Sequence, residues 1–555
     1  MWTGRCVKMA KRKNEQWRLS VNGMPTANCI PQIQVAYWDA LGKQTDPVCY
    51  KLRLNFEDRY REITVDSLTV QGIRKQVKQV VLHPRGGKER FEAFLECLTE
   101  EPQKYINGWY FSAFGAHILP DGTCVYVLGE KILGQIRAPF EIAPEIQRMQ
   151  LNVPKQNDRR DVVGLPQMMD ALNEADPKVM LLFVFNAFAA IRSQLERVGI
   201  TFQGVVDIVG PQNCGKTTLA KCACSWLVHT ECGALIFDLA SSRAAMTRLL
   251  EVYRDCVIFA DDQCKSEISS IQRQRAEVVA ALFRIATSDS NIAAMQSRTT
   301  IQMLKRSASL LLTGEINFQN PSEVTRSIFV PLSRKIDLQK VPAPAMWAWA
   351  MESFLRWFVQ NIDRLDGLVA GRNYKKILPT SIKLPMRTRA NYDALSLAFE
   401  LICLAALDQG AQDDDVTRWW EHYVDAVAES LAYQNHVLEL AAAHTKRGNA
   451  AYVLLEGITE GAFTVCKKRK QFDVCDGLWW NGKLALKPQA LETYFSKQPG
   501  YQQCKINSIS KELRNCKALV INEANTLQTK ISKIEQRVYL IDVEMLKESA
   551  EAFTS

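Results

Sequence analysis

No stretch of this chain reaches the roughly 20 consecutive apolar residues of a membrane-spanning helix. The longest apolar candidate, Val179 to Ile191, is interrupted by Asn186. The basic N-terminus, MWTGRCVKMAKRKNEQWR, is followed by no apolar core, which argues against a secretory signal. Sixteen cysteines are present, but no two stand at C-x-x-C spacing, and the six histidines do not join them at metal-ligand spacing. A disulfide scaffold and a zinc site are both disfavoured, so the expectation is reduced, mostly buried thiols in a cytoplasmic protein with no membrane partner. Internal repeats and extended low-complexity tracts are also lacking.

What is there is ordinary globular composition, 47% apolar and 23% charged, over 555 residues. That length exceeds what one hydrophobic core can organise and predicts several domains. Residues 1–155 read as a mixed α+β domain. QIQVAYWDA, CYKLRLNF, REITVDSL and TCVYVLG are its strand candidates, and Glu89 to Leu98 its helix. The polar stretch 153–163 reads as a linker. Residues 156–340 open with helical spacing and continue as an α/β block. There TFQGVVDIVG, GALIFDL, CVIFADD, SASLLLTG and RSIFVPL alternate with helical stretches, the pattern of a parallel sheet with crossover helices. Residues 341–460 read as a helical domain holding an acidic loop, DQGAQDDDV, and 461–555 as a mixed C-terminal domain.

The motif that carries chemistry is Gly210-Pro211-Gln212-Asn213-Cys214-Gly215-Lys216-Thr217, which satisfies G-x4-G-K-[ST]. A loop wrapping phosphate oxygens with backbone N–H groups needs glycine where the chain makes close approach or positive φ. The helix that follows adds its N-terminal dipole. In that frame Lys216 neutralises the terminal phosphates, Thr217 supplies a hydroxyl to magnesium, and Thr218 completes the ATP-binding segment. Strand VVDIV before the loop and helix TTLAKCACSWL after it argue against a chance glycine-rich turn. Forty-four residues past Thr217, the short strand Val257 to Ala260 ends in two carboxylates. Asp261 is assigned to the metal and Asp262 to orienting the attacking water, the bland alternative being a pair that caps a turn. Ser309 to Glu315 ends another apolar strand, where Thr313 is placed to sense the γ-phosphate and Glu315 lies just beyond.

The order Gly210–Thr217, Asp261/Asp262, Thr313-Gly-Glu315, Arg326 resembles the AAA+ and superfamily 3 helicase lineage. The segment from Ala280 to Leu332 is similar, more narrowly, to replicative helicases of phages and mobile elements: the cassette-chromosome type and, more distantly, poxvirus-type primase-helicases. The resemblance implies a P-loop NTPase core using ATP and Mg2+, assembled as a homo-oligomeric (hexameric) ring that translocates on single-stranded or forked DNA. Replication initiator or polymerase proteins are implied as partners. It also implies that Arg326 reaches a neighbouring subunit's nucleotide, with Arg334 as the reserve candidate. A hairpin in the central channel is implied within Asn291–Arg306, where Arg298, Lys305 and Arg306 offer phosphate contacts or, more blandly, a solvated surface. No primase signature appears in residues 1–155.

The net charge of +9 is mild, but its distribution is uneven. Nine Lys/Arg stand against four Glu between Ala485 and Arg537, a surplus of five. Within that stretch, two helical segments (KPQALETYF, SISKELRNC) precede two strands (ALVIN, RVYLI) around a basic loop, which is a winged-helix pattern. Lys511, Arg514 and Lys517 fall on or beside its recognition helix, and Lys530 and Lys533 in its wing, for contact with DNA or with protein. The run Lys467-Lys468-Arg469-Lys470 is a separate basic cluster. The reading is an ATP-dependent DNA helicase or translocase. The alternative is a regulatory or defence switch that assembles on nucleic acid without unwinding it, while a P-loop kinase is disfavoured by the absence of a lid or acceptor segment.

Overall fold

In the computed structural model the five apolar runs of the α/β block form one parallel sheet. The strands are β1 (Val205–Val209), β2 (Ile236–Asp238), β3 (Val257–Gln263), β4 (Ser309–Gly314) and β5 (Ser327–Pro331), in the order β2-β3-β4-β1-β5. The described residues are 17–42, 46–100, 104–152, 164–231, 233, 236–238, 253–263, 287, 292–295, 301–304, 308–314, 321–371, 378, 384–447, 449–498, 501, 506–520, 528–530 and 537–552. Glu315, Arg298, Lys305, Arg306, Lys533 and the 153–163 stretch lie outside them. Near-continuous Val/Ile/Leu content in β1 and β4 follows from burial on both faces, as parallel strands require.

The chain divides into two compact units, Met1–Ile316 with Arg326–Leu431, and Asn317–Thr325 with Ala432–Ser555. In the first, the N-terminal strands appear where alternation predicts them. Ile30–Asp39, Cys49–Asn55 and Tyr60–Val65 lie side by side in a five-stranded sheet, and Cys124–Leu128 centres a three-stranded one. The expected helix runs from Gly87 to Thr99. A small core from Leu19 to Leu95 serves the first of these sheets. Residues from Phe111 to Met149 instead share one large core with the parallel sheet and the helices that follow.

Helix α1 (Pro177–Arg197) is the centre of that large core. By length and composition α1 (21 residues) and a second helix, α3 (Met386–Asp408, 23 residues), could each cross a membrane, contrary to the expectation that no run suffices. Both are largely buried within the protein, 94% for the apolar window of α1, as core helices are. Polar residues inside α1 explain themselves by what they bind. Asn186 donates to the Leu182 carbonyl (2.9 Å) and accepts from Trp226 Nε1 (3.1 Å), which ties α1 to the end of α2 (Lys216–Cys224). Arg192 donates to the carbonyls of Ala308 (2.8 Å) and Phe202 (3.0 Å), at the entries to β4 and β1. The expected acidic loop differs from the observed structure. Asp413, Asp414 and Asp415 form the first turn of a 35-residue helix, α4 (Asp413–Arg447), where carboxylates favour the N-terminal dipole, and Asp415 accepts from Gln412 N (3.0 Å).

Asp255, just before β3, is the most heavily bonded buried acid in this unit. It accepts from Ala116 N (3.0 Å), Ser193 N (2.7 Å) and Ser193 Oγ (2.6 Å), and pairs with Arg254 (3.3 Å). Its carbonyl accepts from Tyr126 Oη at 3.0 Å. One side chain thus joins an N-terminal sheet, α1 and the start of β3.

The second unit contains α5 (Pro488–Ser496), α6 (Ile506–Asn515) and a sheet built on Arg537–Ile541, to which Leu519–Val520 and Thr529–Lys530 pair antiparallel. These match the expected helix, helix, strand, strand order. The periodicity reading did not anticipate an upstream hairpin, Gly477–Trp480 with Lys483–Leu486, that joins the same sheet.

Asp255→Ala strands three buried donors and the Arg254 cation, so it should lower stability by about 3–5 kcal/mol. The midpoint of the first urea transition, compared with wild type, measures it; an unchanged midpoint contradicts the clamp.

Candidate nucleotide site

Parallel strands present their carboxyl ends on one edge, and ligands of open α/β sheets bind there, beside the strand where the order reverses. Here that strand is β1. Register aligns Val209 with Gly314 and Pro331, and Asp238 with Asp261, so the ends of all five strands lie level. The loop 210–215 leaves β1 at this edge and feeds directly into α2.

Geometry explains the glycines. Gly215 has φ 99°, a left-handed conformation costly to any residue with a Cβ. A Cβ on Gly210 would lie 2.4 Å from the Leu332 carbonyl. That carbonyl belongs to the segment after β5, which runs along the loop: Leu332 N donates to Val209 O (2.7 Å) and Ile336 N to Cys214 O (3.3 Å). Cys214 is buried beneath, while Pro211, Gln212, Asn213 and Thr218 are exposed. Lys216 Nζ folds back on the loop, donating to the carbonyls of Gly210 (2.8 Å) and Pro211 (2.7 Å).

Three strand and helix ends meet at Asp261. Its Oδ1 accepts from Thr217 Oγ1 at 3.0 Å and also from Thr313 Oγ1. The strand was expected to stop at Ala260, with its carboxylates at the tip, but β3 continues to Gln263. Ala260 pairs with Leu312 and Gln263 with Gly314, so three steps on β3 match two on β4. This bulge contains Asp261 and Asp262, and bulges re-aim side chains beside functional sites. β1 and β3 are not neighbours: β4 lies between them and contributes Thr313.

Arg326 lies elsewhere. Its carbonyl accepts from Val205 N (3.0 Å), at the start of β1 and β5, so it stands at the opposite end of the sheet from Lys216. Arg334, by contrast, is exposed in the 332–336 segment beside the loop. Within Asn291–Arg306 the described backbone forms an antiparallel pair, Ile292–Met295 with Ile301–Leu304. In the second unit Lys511 is exposed and Arg514 half-buried on α6, and Lys517 is exposed just past its end at φ 61°. Lys530 belongs to the short strand that pairs with Arg537.

The motif reading missed Asp207. This residue sits mid-strand in β1, wholly buried, with neither carboxylate oxygen hydrogen-bonded. An acid inside VVDIV was the signal available in the sequence. Burial lifts its pKa from 3.8 to about 7, against the downward pull of the Lys216 cation.

The residues present fit a nucleotide with a divalent cation. Two hydroxyls and a carboxylate converge as hard oxygen donors, and a lysine and a glycine-shaped loop stand at a helix N-terminus. No protein-family model matches the chain, and no curated protein matches it in sequence. Among solved structures it is similar to one titled as the SCCmec type IV Cch active helicase, with a TM-score of 0.51 at 13% identity, covering 95% of this chain and 97% of that one. The chain shares that helicase's fold. The resemblance read from the motifs is thereby met at the level of fold. The C-terminal region of NrS-1 (TM-score 0.27, 11% identity, 91% of this chain and 95% of that one) and a JCV helicase (0.19, 10%, 50% and 70%) match too weakly to bear on the architecture.

Asp207 yields a pH prediction. Unfolded, it ionises above about 3.8; folded, it keeps its proton to about 7. Folding therefore takes up a proton between these values, and stability falls as pH rises across that window. The stability of Asp207→Asn relative to wild type should grow from pH 4 to pH 8, by ~4 kcal/mol at the upper limit. Urea midpoints at both pH values test this, and a difference independent of pH would contradict it.

Proposed function

We propose that the chain is an ATP-dependent DNA helicase or translocase, working as a hexameric ring in the replication of a phage or mobile element. The observation that carries the hydrolytic part is the meeting of Thr217, Asp261 and Thr313 at the strand edge where the Lys216 loop ends. The fold shared with a helicase supports the motor part.

In this reading the loop Gly210–Gly215 and the first residues of α2, Lys216 to Thr218, are a P-loop that binds the triphosphate. Lys216 exchanges the carbonyls of Gly210 and Pro211 for terminal phosphate oxygens, trading neutral acceptors for stronger charge-assisted ones. Thr217 and Asp261 hold magnesium, whose charge would offset that on the β- and γ-phosphates. Asp262, one residue along the bulge, orients water for in-line attack, and Thr313 reports the γ-phosphate through its bond to Asp261. Arg326, remote from its own chain's loop, serves the nucleotide of a neighbouring subunit, with Arg334 the reserve candidate for that role. Arg298, Lys305 and Arg306 contact the phosphates of DNA in the channel. Residues 461–555 act as a winged helix that contacts DNA through Lys511, Arg514, Lys517, Lys530 and Lys533. The four-domain division at 155, 340 and 460 belongs to the same proposal, as does a cytoplasmic location.

Lys216→Ala and Thr217→Ala should each cut ATP turnover by about 10²–10³-fold. Retained turnover removes the site. Strand separation on forked DNA tests the motor: turnover stimulated by single strands without unwinding favours an assembling switch instead.

A further inference from the structure

The second unit carries a basic and aromatic surface distinct from α6. The hairpin of Gly477–Trp480 and Lys483–Leu486 turns through Asn481 (φ 49°) and Gly482 (φ 77°), the two left-handed residues of a type I′ turn. The short strand Val465–Cys466 pairs with its first strand, and the chain then runs through four consecutive exposed cations, Lys467, Lys468, Arg469 and Lys470. Phe472, just past these cations, is buried in a small core with Cys466, Leu478, Ala485 and Val538. Lys487 packs over the Phe472 ring at 4.9 Å and donates to the Asp473 carbonyl at 3.0 Å.

Two features distinguish this surface from an ordinary solvated loop. Arg469 sits over the Trp480 ring, its guanidinium carbon 3.7 Å from the centroid. An arginine held that way has already lost rotamer freedom, and its N–H edges remain available to a planar or tetrahedral anion. Second, Trp479, 40% exposed on this hairpin, and Val474, 85% exposed a few residues past the cations, are large apolar side chains left open to solvent. From Val465 to Lys487 there are six Lys/Arg against Asp473 and Asp476, a surplus of four. Asp476 is bonded to Thr464 through both its amide and its hydroxyl, and no ion pair engages Lys467 to Lys470 among the described residues.

We propose that this hairpin tip binds single-stranded nucleic acid, with the phosphates on Lys467, Lys468, Arg469 and Lys470 and a base stacked on Trp479. Cations that follow a backbone and an exposed indole on which a base can stack are the two components of strand binding without sequence preference. Alternation along the strand sends Trp479 and Trp480 to opposite faces of the hairpin. A single strand, whose bases swing free of its backbone, can straddle the tip; a duplex keeps its bases stacked inside and cannot. Because this surface belongs to the second unit alone, the proposal stands apart from the hydrolysis reading.

The test uses the full chain without nucleotide, and follows the anisotropy of labelled oligothymidine and oligouridine across a salt series. Replacing Lys467, Lys468 and Lys470 together by Ser should reduce the slope of log K against log salt by about 2, at ~0.7 per phosphate contact. Trp479→Ala should weaken binding by about 5- to 150-fold while leaving the slope intact, and Trp479→Phe should restore most of it. Preference for either sugar supports the site and identifies the strand. Wild type that does not bind, variants that bind like wild type, or an equal Trp479→Ala loss on blunt duplex each overturn it. Far-ultraviolet circular dichroism and a thermal unfolding profile unchanged from wild type confirm that each variant has folded.

Discussion

The site depends on one carboxylate being turned to face two hydroxyls from other elements. Asp261 takes hydrogen bonds from Thr217 on α2 and Thr313 on β4, and no two of these three residues are close in sequence. An extra residue in β3 makes this possible, because a regular strand reaching the same edge would have continued the pairing of Ala260 with Leu312 and left the next side chain on the pleat's ordinary course. The parallel sheet supplies the rest, bringing the ends of β1, β3 and β4 level.

That edge is held from behind by polar groups set into an apolar core. Asn186 fastens α1 to Trp226 beyond α2, Arg192 ties α1 to the entries of β1 and β4, and Asp255 fixes the entry to β3. Each of these buried groups is bonded, as burial demands. Asp207 departs from this, with both carboxylate oxygens unbonded. A mid-strand acid with no hydrogen bond, close enough to feel the Lys216 charge, burdens the strand that carries the loop. Local cost at the element supporting a candidate site is where a protein's consistency between sequence and structure tends to break.

Much of the architecture was legible from periodicity. Five apolar runs became five parallel strands, and the N-terminal alternating segments became strands where expected, because two-sided burial and half-burial leave different patterns in sequence. The reading failed where a charge pattern had two physical meanings. Asp413 to Asp415 looked like a loop but open a long helix, since acids are as welcome at a helix N-terminus as in solvent. The helical spacing before the sheet did become α1, and Asn186, which interrupts its apolar run, is satisfied by Leu182 and Trp226.

The amino-acid order alone determined the phosphate-type loop. Its requirements are local: glycine at left-handed and close-approach positions, and a lysine and a threonine at the first turn of a helix. Tertiary structure decided the strand order, which put β4 rather than β3 beside β1, and the bulge at Asp261 and Asp262. It also decided the placement of Arg326 at the far end of the sheet and of Arg334 beside the loop. These are relations between residues tens of positions apart. Pairing across a sheet is set by packing and register rather than by any local preference that a linear pattern records.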